Sequence, residues 1–215
     1  MKEENRVSHD FIFTEKQRQI MDEGLRKGLD VSIYAKSVYS AAQMREIMLG
    51  LEVGIDISLY ADTSWSAVQM HEIRLGLLDG KDVSVYRRPE FSGEQMRVIR
   101  EALCMHIPVE LFAKPELTVE QMEAIRYGLE WGLDLSYADP EYDIAQMNEL
   151  VLGLQRGLDI GQYDDPSLSG PQMREIRIGL EEGLDVSSYA DSSVPSGLMH
   201  AIRECLESNY TVTAP

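Results

Sequence analysis

The sequence is poor in the residues from which catalytic and metal-binding sites are usually built. It has two cysteines, Cys104 and Cys205, in no metal-binding or redox spacing, and four histidines among 215 residues. His71 precedes a glutamate, but no second histidine follows four residues later, so the zinc-protease pattern fails. A glycine-rich phosphate loop, a Cys-x-x-Cys pair and a Gly-x-Ser-x-Gly motif are also missing. We therefore expect no catalytic residues, no metal and no cofactor.

Long apolar runs and positive charge are scarce as well. No run approaches the roughly 20 apolar residues that span a bilayer, and no apolar segment typical of a secretion signal follows the first residues. The chain has 20 basic and 37 acidic residues, a net charge of −17. This charge argues against direct binding to nucleic acid or to an anionic membrane, and it is compatible with a basic protein partner. The low cysteine content suits a reducing compartment, so we expect a cytoplasmic protein.

What the sequence does have is a repeat. The dipeptide Gln-Met recurs at spacings of 26, 26, 26, 25 and 26 residues. Its six copies begin at Gln43, Gln69, Gln95, Gln121, Gln146 and Gln172. A weaker copy begins at Gln17, and a last one is Leu198-Met199. The repeat covers nearly everything from Thr14 to Val212, which leaves no room for a separate catalytic domain.

Each repeat carries a signal for the start and the end of a helix. Three residues before each glutamine stands a residue that can cap a helix and form a capping box with that glutamine. These residues are Thr14, Ser40, Ser66, Ser92, Thr118, Asp143 and Ser169. Fourteen residues after six of the seven caps stands a glycine, which can adopt the left-handed conformation that ends a helix. The spacing predicts helices of about 13 residues.

A second, shorter helix is predicted in each repeat. An aspartate lies two residues after each of these glycines and opens a segment close to Asp-Val-Ser-x-Tyr, which indicates a cap followed by one turn of α- or 3₁₀-helix. One long and one short helix per repeat predict an all-α, right-handed α-solenoid. Residues 1–13 would form an N-terminal extension, residues 14–195 seven repeats, and residues 196–215 a degenerate capping half-repeat with a tail.

The repeat resembles a known family. The strings QMREIMLGLEVGIDISLYAD, QMNELVLGLQRGLDIGQYDDP and QMREIRIGLEEGLDVSSYAD are similar to a short helical repeat of about 26 residues in bacterial proteins, often encoded near plasmid and phage genes. This resemblance implies a fold and a mobile-element setting, and it implies no catalytic residues. The alternation of long and short helices is similar to leucine-rich-variant and armadillo-type solenoids in architecture only.

A small residue, in most repeats a glycine, stands inside every long helix. This is unexpected, because a glycine inside a helix costs about 1 kcal/mol against alanine. We expect these positions to allow close approach of successive long helices, with the stems of arginines from the next repeat over them. The small residues are Gly24, Gly50, Gly76, Ala102, Gly128, Gly153 and Gly179, and the arginines are Arg74, Arg100, Arg126 and Arg177.

A row of apolar residues is predicted on the face opposite the core stripe of Met70, Ile73 and Leu77. It comprises Leu49, Leu75, Tyr127, Leu152 and Ile178, with Trp131 one helical turn beyond Tyr127. Two interpretations stay open. The row is exposed with a charged rim and binds a protein partner, or curvature or self-association buries it.

The fourth repeat departs from the pattern and is a second candidate site. His106 replaces the glycine that ends the helix, and Pro108 replaces the capping aspartate. A basic pair, Arg87 and Arg88, precedes this repeat. The departure marks either a function or drift, because Pro108 is also able to start the short helix.

The acidity has a structural explanation and a functional one. Ten aspartates stand where they can cap short helices or close turns, which leaves 27 acidic against 20 basic residues. Stacked repeats would nevertheless place these carboxylates in rows that imitate a phosphate strand. We therefore weigh three functions. The first is a non-enzymatic repeat protein that binds a protein partner, as a phage or mobile-element accessory or inhibitor. The second is an acidic nucleic-acid mimic that blocks a DNA- or RNA-binding host protein, and the third is a self-assembling module.

Overall fold

The computed structural model describes residues 13–135 and 139–213, and within them it contains helices and no strands. Eight α-helices follow one another: α1 (Glu15–Arg26), α2 (Ala41–Val53), α3 (Ala67–Leu78), α4 (Gly93–Cys104), α5 (Val119–Glu130), α6 (Ile144–Gln155), α7 (Gly170–Glu181) and α8 (Ser196–Thr213). Among the described residues, five 3₁₀-helices lie between them: Val31–Ile33, Ile57–Leu59, Val83–Val85, Ile160–Gln162 and Val186–Ser188. The all-α prediction is confirmed. The predicted N-terminal extension lies outside the described residues except for Phe13.

The helices belong to two compact units, divided between Met105 and His106. In the first unit, α1 packs on α2, α2 on α3 and α3 on α4. In the second unit, α5 packs on α6, α6 on α7 and α7 on α8. Each long helix thus packs against its neighbour in sequence order within its unit, as a helical repeat requires. A continuous solenoid of seven repeats stays a prediction.

The predicted helix starts are confirmed. In α3, the Ser66 hydroxyl accepts from the backbone N–H of Gln69 at 3.2 Å, and Gln69 Oε1 accepts from the backbone N–H of Ser66 at 2.8 Å. Capping boxes of this kind open α1 to α7. The same glutamines have a second function that the sequence did not reveal. Gln69 Nε2 donates to the carbonyl of Phe91, 2.8 Å away and 22 residues later, at the threshold of the next helix.

Most of the capping glutamines link their repeat to the next in this way. The acceptors of Gln17, Gln43, Gln121, Gln146 and Gln172 are the carbonyls of Tyr39, Trp65, Tyr142, Leu168 and Val194. The oxygen of each glutamine accepts a hydrogen bond within its own helix, and the nitrogen donates one to the following repeat. One side chain therefore fixes both the start of a helix and the position of the next one.

The predicted helix ends are also confirmed. All six glycines take a left-handed conformation, with φ between 64° and 73°. They are Gly28, Gly54, Gly80, Gly132, Gly157 and Gly183. In the fourth repeat, His106 takes the same conformation at φ 61°. The chain therefore ends α4 in the usual way, at the cost of placing a β-carbon in a crowded region of backbone space.

Gly76 serves a purpose different from the predicted one. A β-carbon built there would overlap the Tyr86 hydroxyl, and it would lie 2.9 Å from Val83 Cγ1. Both residues belong to the short helix of the same repeat. The hydroxyl donates to the Glu72 carbonyl at 3.1 Å, so the missing side chain makes room for a bond between long and short helix. The prediction that successive long helices meet at this position, under arginine stems, is wrong.

The same tyrosine meets the same glycine in four other repeats. The pairs are Gly24 with Tyr34, Gly50 with Tyr60, Gly153 with Tyr163, and Gly179 with Tyr189. Close approach of successive long helices occurs instead at the first helical position. There a β-carbon at Gly170 would lie 2.7 Å from the Ala145 β-carbon.

The fourth repeat exchanges both members of the glycine–tyrosine pair. Ala102 and Phe112 occupy the two positions, and both are fully buried. Phenylalanine lacks the tyrosine hydroxyl, so the space that the hydroxyl fills in other repeats is available to the methyl group of alanine. No 3₁₀-helix forms there, although the backbone N–H groups of Phe112 and Ala113 both bond to the Val109 carbonyl, at 3.1 and 2.7 Å. Pro108 therefore precedes a turn, and the predicted short helix is absent from this repeat.

Candidate protein-binding site

Buried ion pairs join successive long helices within each unit. They therefore fix how the outer faces of these helices are placed relative to one another. Arg100 Nε donates to Glu72 Oε2 at 2.7 Å, from 28 residues further along the chain. The same pair occurs as Glu46–Arg74 at 2.8 Å, Glu149–Arg177 at 2.6 Å and Glu175–Arg203 at 3.0 Å. These eight side chains are only 6 to 15% exposed. The arginines therefore bind the carboxylates of the preceding repeat and do not cover the glycines.

A signal for these pairs was present in the sequence. These two positions occur together seven times along the chain. Both are charged in four cases and both are apolar in two, as Ile20 with Met48 and as Ala124 with Val151, and the remaining case combines Val98 with Arg126. Such paired replacement is expected where burying one charge without its partner is costly.

Two of the ion pairs carry a histidine. His71 Nδ1 lies 3.2 Å from Glu46 Oε2 and 3.2 Å from an Arg74 Nη atom. His200 has the same relation to Glu175 and Arg203, at 3.2 and 3.1 Å. The two imidazoles are 43 and 49% exposed. The contacts to an arginine and a glutamate give each histidine a structural role.

The predicted apolar row is unevenly exposed. In the first unit, Leu49 and Leu75 are half-buried. In the second unit, Ile178 is half-buried, whereas Leu152 is 38% exposed and Tyr127 is 45% exposed. The three residues of the second unit lie on the consecutive, mutually packed helices α5, α6 and α7. We call Tyr127, Trp131, Leu152 and Ile178 the apolar row of the second unit.

Two aromatic side chains stand at one end of this row. Trp131 is 64% exposed, and its ring centroid lies 6.1 Å from that of Tyr127 with the planes inclined at 58°. The two residues are four apart on the last turn of α5, where Trp131 is the C-cap. The other tryptophan, Trp65, is 7% exposed. An exposed, tilted aromatic pair offers a large and rigid contact area.

The candidates around the fourth repeat lie in different surroundings. Arg87 donates to the Leu59 carbonyl of the preceding repeat at 3.2 Å, a bond that stabilises packing. The Arg88 guanidinium lies 5.0 Å from the centroid of Phe91 and 3.9 Å from Glu90. Arg87 thus has a local structural explanation, and Arg88 is exposed but already in contact with a ring and a carboxylate. His106 is exposed in a left-handed conformation that favours glycine.

The predicted backbone role is confirmed for nine aspartates. Asp30, Asp56, Asp82, Asp159 and Asp185 cap the 3₁₀-helices by accepting from the N–H two residues later at 3.0 to 3.2 Å. Asp62, Asp139, Asp165 and Asp191 close turns in the same way at 2.8 to 3.0 Å. Hydrogen bonds from serine hydroxyl and N–H groups lower the pKa of several of these carboxyls, among them Asp30, Asp56, Asp82, Asp185 and Asp191.

Comparisons with known proteins add no relative. Models of protein families, curated proteins and solved structures gave no match to this sequence. Across residues 13–135 and 139–213, His, Cys, Asp and Glu side chains form no group of three that could hold a metal ion. None of the helices described there is long and apolar enough to cross a membrane.

Proposed function

We propose that this chain is a non-enzymatic helical-repeat protein that binds another protein through the apolar row of its second unit. The observation that carries the proposal is the exposure of Tyr127 and Trp131, 45 and 64%, side by side at the end of α5. Tryptophan and tyrosine are the residues most enriched among those that dominate the energy of protein interfaces. From the resemblance of its repeats we further propose a mobile-element setting, in which the chain inhibits or assists its partner.

The row has the composition of an interface centre with a polar rim. Leu152 and Ile178 continue the apolar surface from the aromatic pair onto α6 and α7. Arg174 lies one turn before Ile178 and is exposed, and Glu181 lies one turn after it and is 25% exposed. An apolar centre excludes water while charged residues at the edge fix the orientation of a partner.

Affinity capture with the wild-type chain, compared with a variant carrying Tyr127→Ala and Trp131→Ala, tests the proposal. Both side chains are exposed, so the variant should fold normally. A matched control carries Val38→Ala and Leu198→Ala, which remove apolar side chains that are 68 and 52% exposed elsewhere on the chain. We expect the wild type and the control to retain the same partner in 0.5 M salt and the variant to lose it. Equal retention by all three would refute the proposal.

An acidic nucleic-acid mimic is the second candidate, and the capping aspartates favour it. Hydrogen bonds lower the pKa of Asp30, Asp56 and Asp82, whose side chains are exposed, so that side of the first unit stays charged near neutral pH. Replacing all three by asparagine keeps the caps and removes the charge. For a mimic, this variant and 0.5 M salt should each release the partner, whereas the aromatic variant should retain it. A self-assembling module would instead show a mass that rises with concentration in light scattering.

A further inference from the structure

The aromatic pair of α5 stands in a negatively charged environment. Glu123, Tyr127 and Trp131 are spaced four residues apart, so they follow one another along a single face of the helix. Glu130, three residues after Tyr127, is 43% exposed and lies 3.5 Å from Arg126. The whole chain carries a net charge of −17. Carboxylates thus stand at both ends of an exposed aromatic surface.

The end of the helix adds to this potential. Trp131 is the C-cap of α5, and the carbonyl dipoles of a helix concentrate about half a negative charge at this terminus. The faces of indole and phenol rings are themselves negative because of their quadrupoles. Three independent sources of negative potential therefore meet at two exposed rings.

We propose that Tyr127 and Trp131 bind the cationic side chain of an arginine or lysine on the protein partner. A guanidinium or ammonium over a tryptophan face is attracted by the ring quadrupole, and its charge is complemented here by the helix terminus and by the net negative charge of α5, in which Glu120, Glu123 and Glu130 outnumber Arg126. The chain already uses this contact internally, since the Lys36 ammonium lies 6.0 Å from the Tyr39 ring and the Arg88 guanidinium 5.0 Å from the Phe91 ring. Leu152 and Ile178 would then receive apolar side chains next to that cation.

The identity of the occupant rests on the proposed function, but the chemistry of the site can be tested without the partner. The chain contains two tryptophans, of which Trp131 is exposed and Trp65 is buried, so the two indole N–H signals in an NMR spectrum give a probe and an internal control. The ligands are Ac-Gly-Arg-Gly-NH₂ and its lysine analogue. A neutral norleucine analogue and tetramethylammonium chloride are the comparisons, all at one ionic strength.

We expect the arginine and lysine peptides to shift the Trp131 signal and leave Trp65 unmoved, with half-saturation at a concentration roughly two- to fivefold below that of the norleucine peptide. The Tyr127→Phe variant, which keeps a ring, should retain this preference. Tyr127→Leu, which keeps apolar area without a quadrupole, should reduce it.

The proposal would be overturned by equal shifts from the norleucine peptide or by movement of both tryptophan signals together. It would also be overturned if tetramethylammonium shifted the Trp131 signal and neither the arginine nor the lysine peptide did. The two hypotheses fail separately. If the peptides bind as expected but the variant with both aromatic residues changed to alanine still retains its partner, the cation site stands and the proposed function fails. If the variant loses the partner but the peptides show no charge preference, the function stands and the cation site fails.

Discussion

The hydroxyl of Tyr86 occupies the space that a side chain at Gly76 would need, and in that position it bonds to the carbonyl of Glu72. The fourth repeat carries Ala102 and Phe112 at the same two positions. The space at these two positions therefore holds either a hydroxyl or a methyl group, and the fourth repeat is a natural example of the second arrangement.

This relationship predicts the stability of a double variant. Gly76→Ala alone should destabilise the fold by about 1–3 kcal/mol through overlap with Tyr86. Tyr86→Phe alone should cost about 1 kcal/mol for the lost hydrogen bond. The double variant should recover most of the stability that Gly76→Ala loses, because the overlap with the hydroxyl is gone and alanine is the better helix former, whereas the 2.9 Å approach to Val83 Cγ1 remains. Urea unfolding of the four proteins measures the coupling, and additive effects would contradict the explanation.

The Glu72–Arg100 pair permits a similar comparison with a pair that the chain already contains. Arg100→Met alone leaves a buried carboxylate and should cost about 3–5 kcal/mol. Adding Glu72→Ile reproduces the apolar combination of Ile20 with Met48, and it should restore stability to within roughly 1 kcal/mol of wild type, since apolar replacement of a buried pair is often neutral. Denaturant unfolding gives both values. A double variant as unstable as Arg100→Met would show that the bonds themselves are required.

Replacing Gln69 should destabilise the fold more than replacing Ser66, its partner in the capping box. Ser66→Ala removes the cap alone and should cost about 1 kcal/mol. Gln69→Glu keeps the oxygen that closes the box but loses the donor to the Phe91 carbonyl, which is then left unsatisfied in a buried setting. We expect a loss of about 1–3 kcal/mol for this change, measured by thermal or urea unfolding. A milder effect than that of Ser66→Ala would argue that the link between repeats contributes little.

His106 offers a site for stabilisation. Its φ of 61° is unfavourable for a residue with a β-carbon, and six other repeats place glycine there. His106→Gly should therefore stabilise the chain by up to about 1 kcal/mol, whereas Gly80→His should destabilise it by a similar amount. The midpoint of urea unfolding reports both. A loss of stability in His106→Gly would mean that the imidazole makes a favourable contribution of its own.

The capping aspartates predict how stability responds to acid. Hydrogen bonds from Ser58 to Asp56, and from Ser84 to Asp82, hold the pKa of each carboxyl below its usual value of 3.8. A pKa depressed in the folded state stabilises the fold above the unfolded value, and this contribution is lost as the pH falls through the folded value. Stability should therefore stay level from neutral pH and fall as the pH drops below about 4.

The pH dependence of the urea midpoint checks this. A variant with asparagine at Asp30, Asp56 and Asp82 keeps its caps without titratable groups, so it should lose less stability between pH 5 and pH 3 than wild type does. An identical acid response in the two proteins would assign the effect to other carboxyls, such as Glu175, whose pKa Arg203 and His200 lower against the opposing effect of burial.

The local structure of this protein was predictable because its signals are local. A cap at Ser66, a glutamine three residues later and a glycine at position 80 each act within one helix, and their physical effect does not depend on the rest of the chain. Repetition of these signals every 25 or 26 residues also predicted that consecutive long helices pack together, as they do within each unit. The wheel placed Met70, Ile73 and Leu77 in the core, where the first two are fully buried and Leu77 is half-buried.

Contacts between elements were harder to predict. Helical periodicity placed Gly76 on a flank but did not distinguish a neighbouring helix from the tyrosine of its own repeat. The partners of Arg100 and of Gln69 Nε2 lie 28 and 22 residues away, and only the packing of successive repeats brings them within reach. The helical wheel also placed Leu75 and Tyr127 in one row. Tertiary packing alone decided that one is half-buried and the other exposed, because exposure depends on the atoms that neighbouring helices supply.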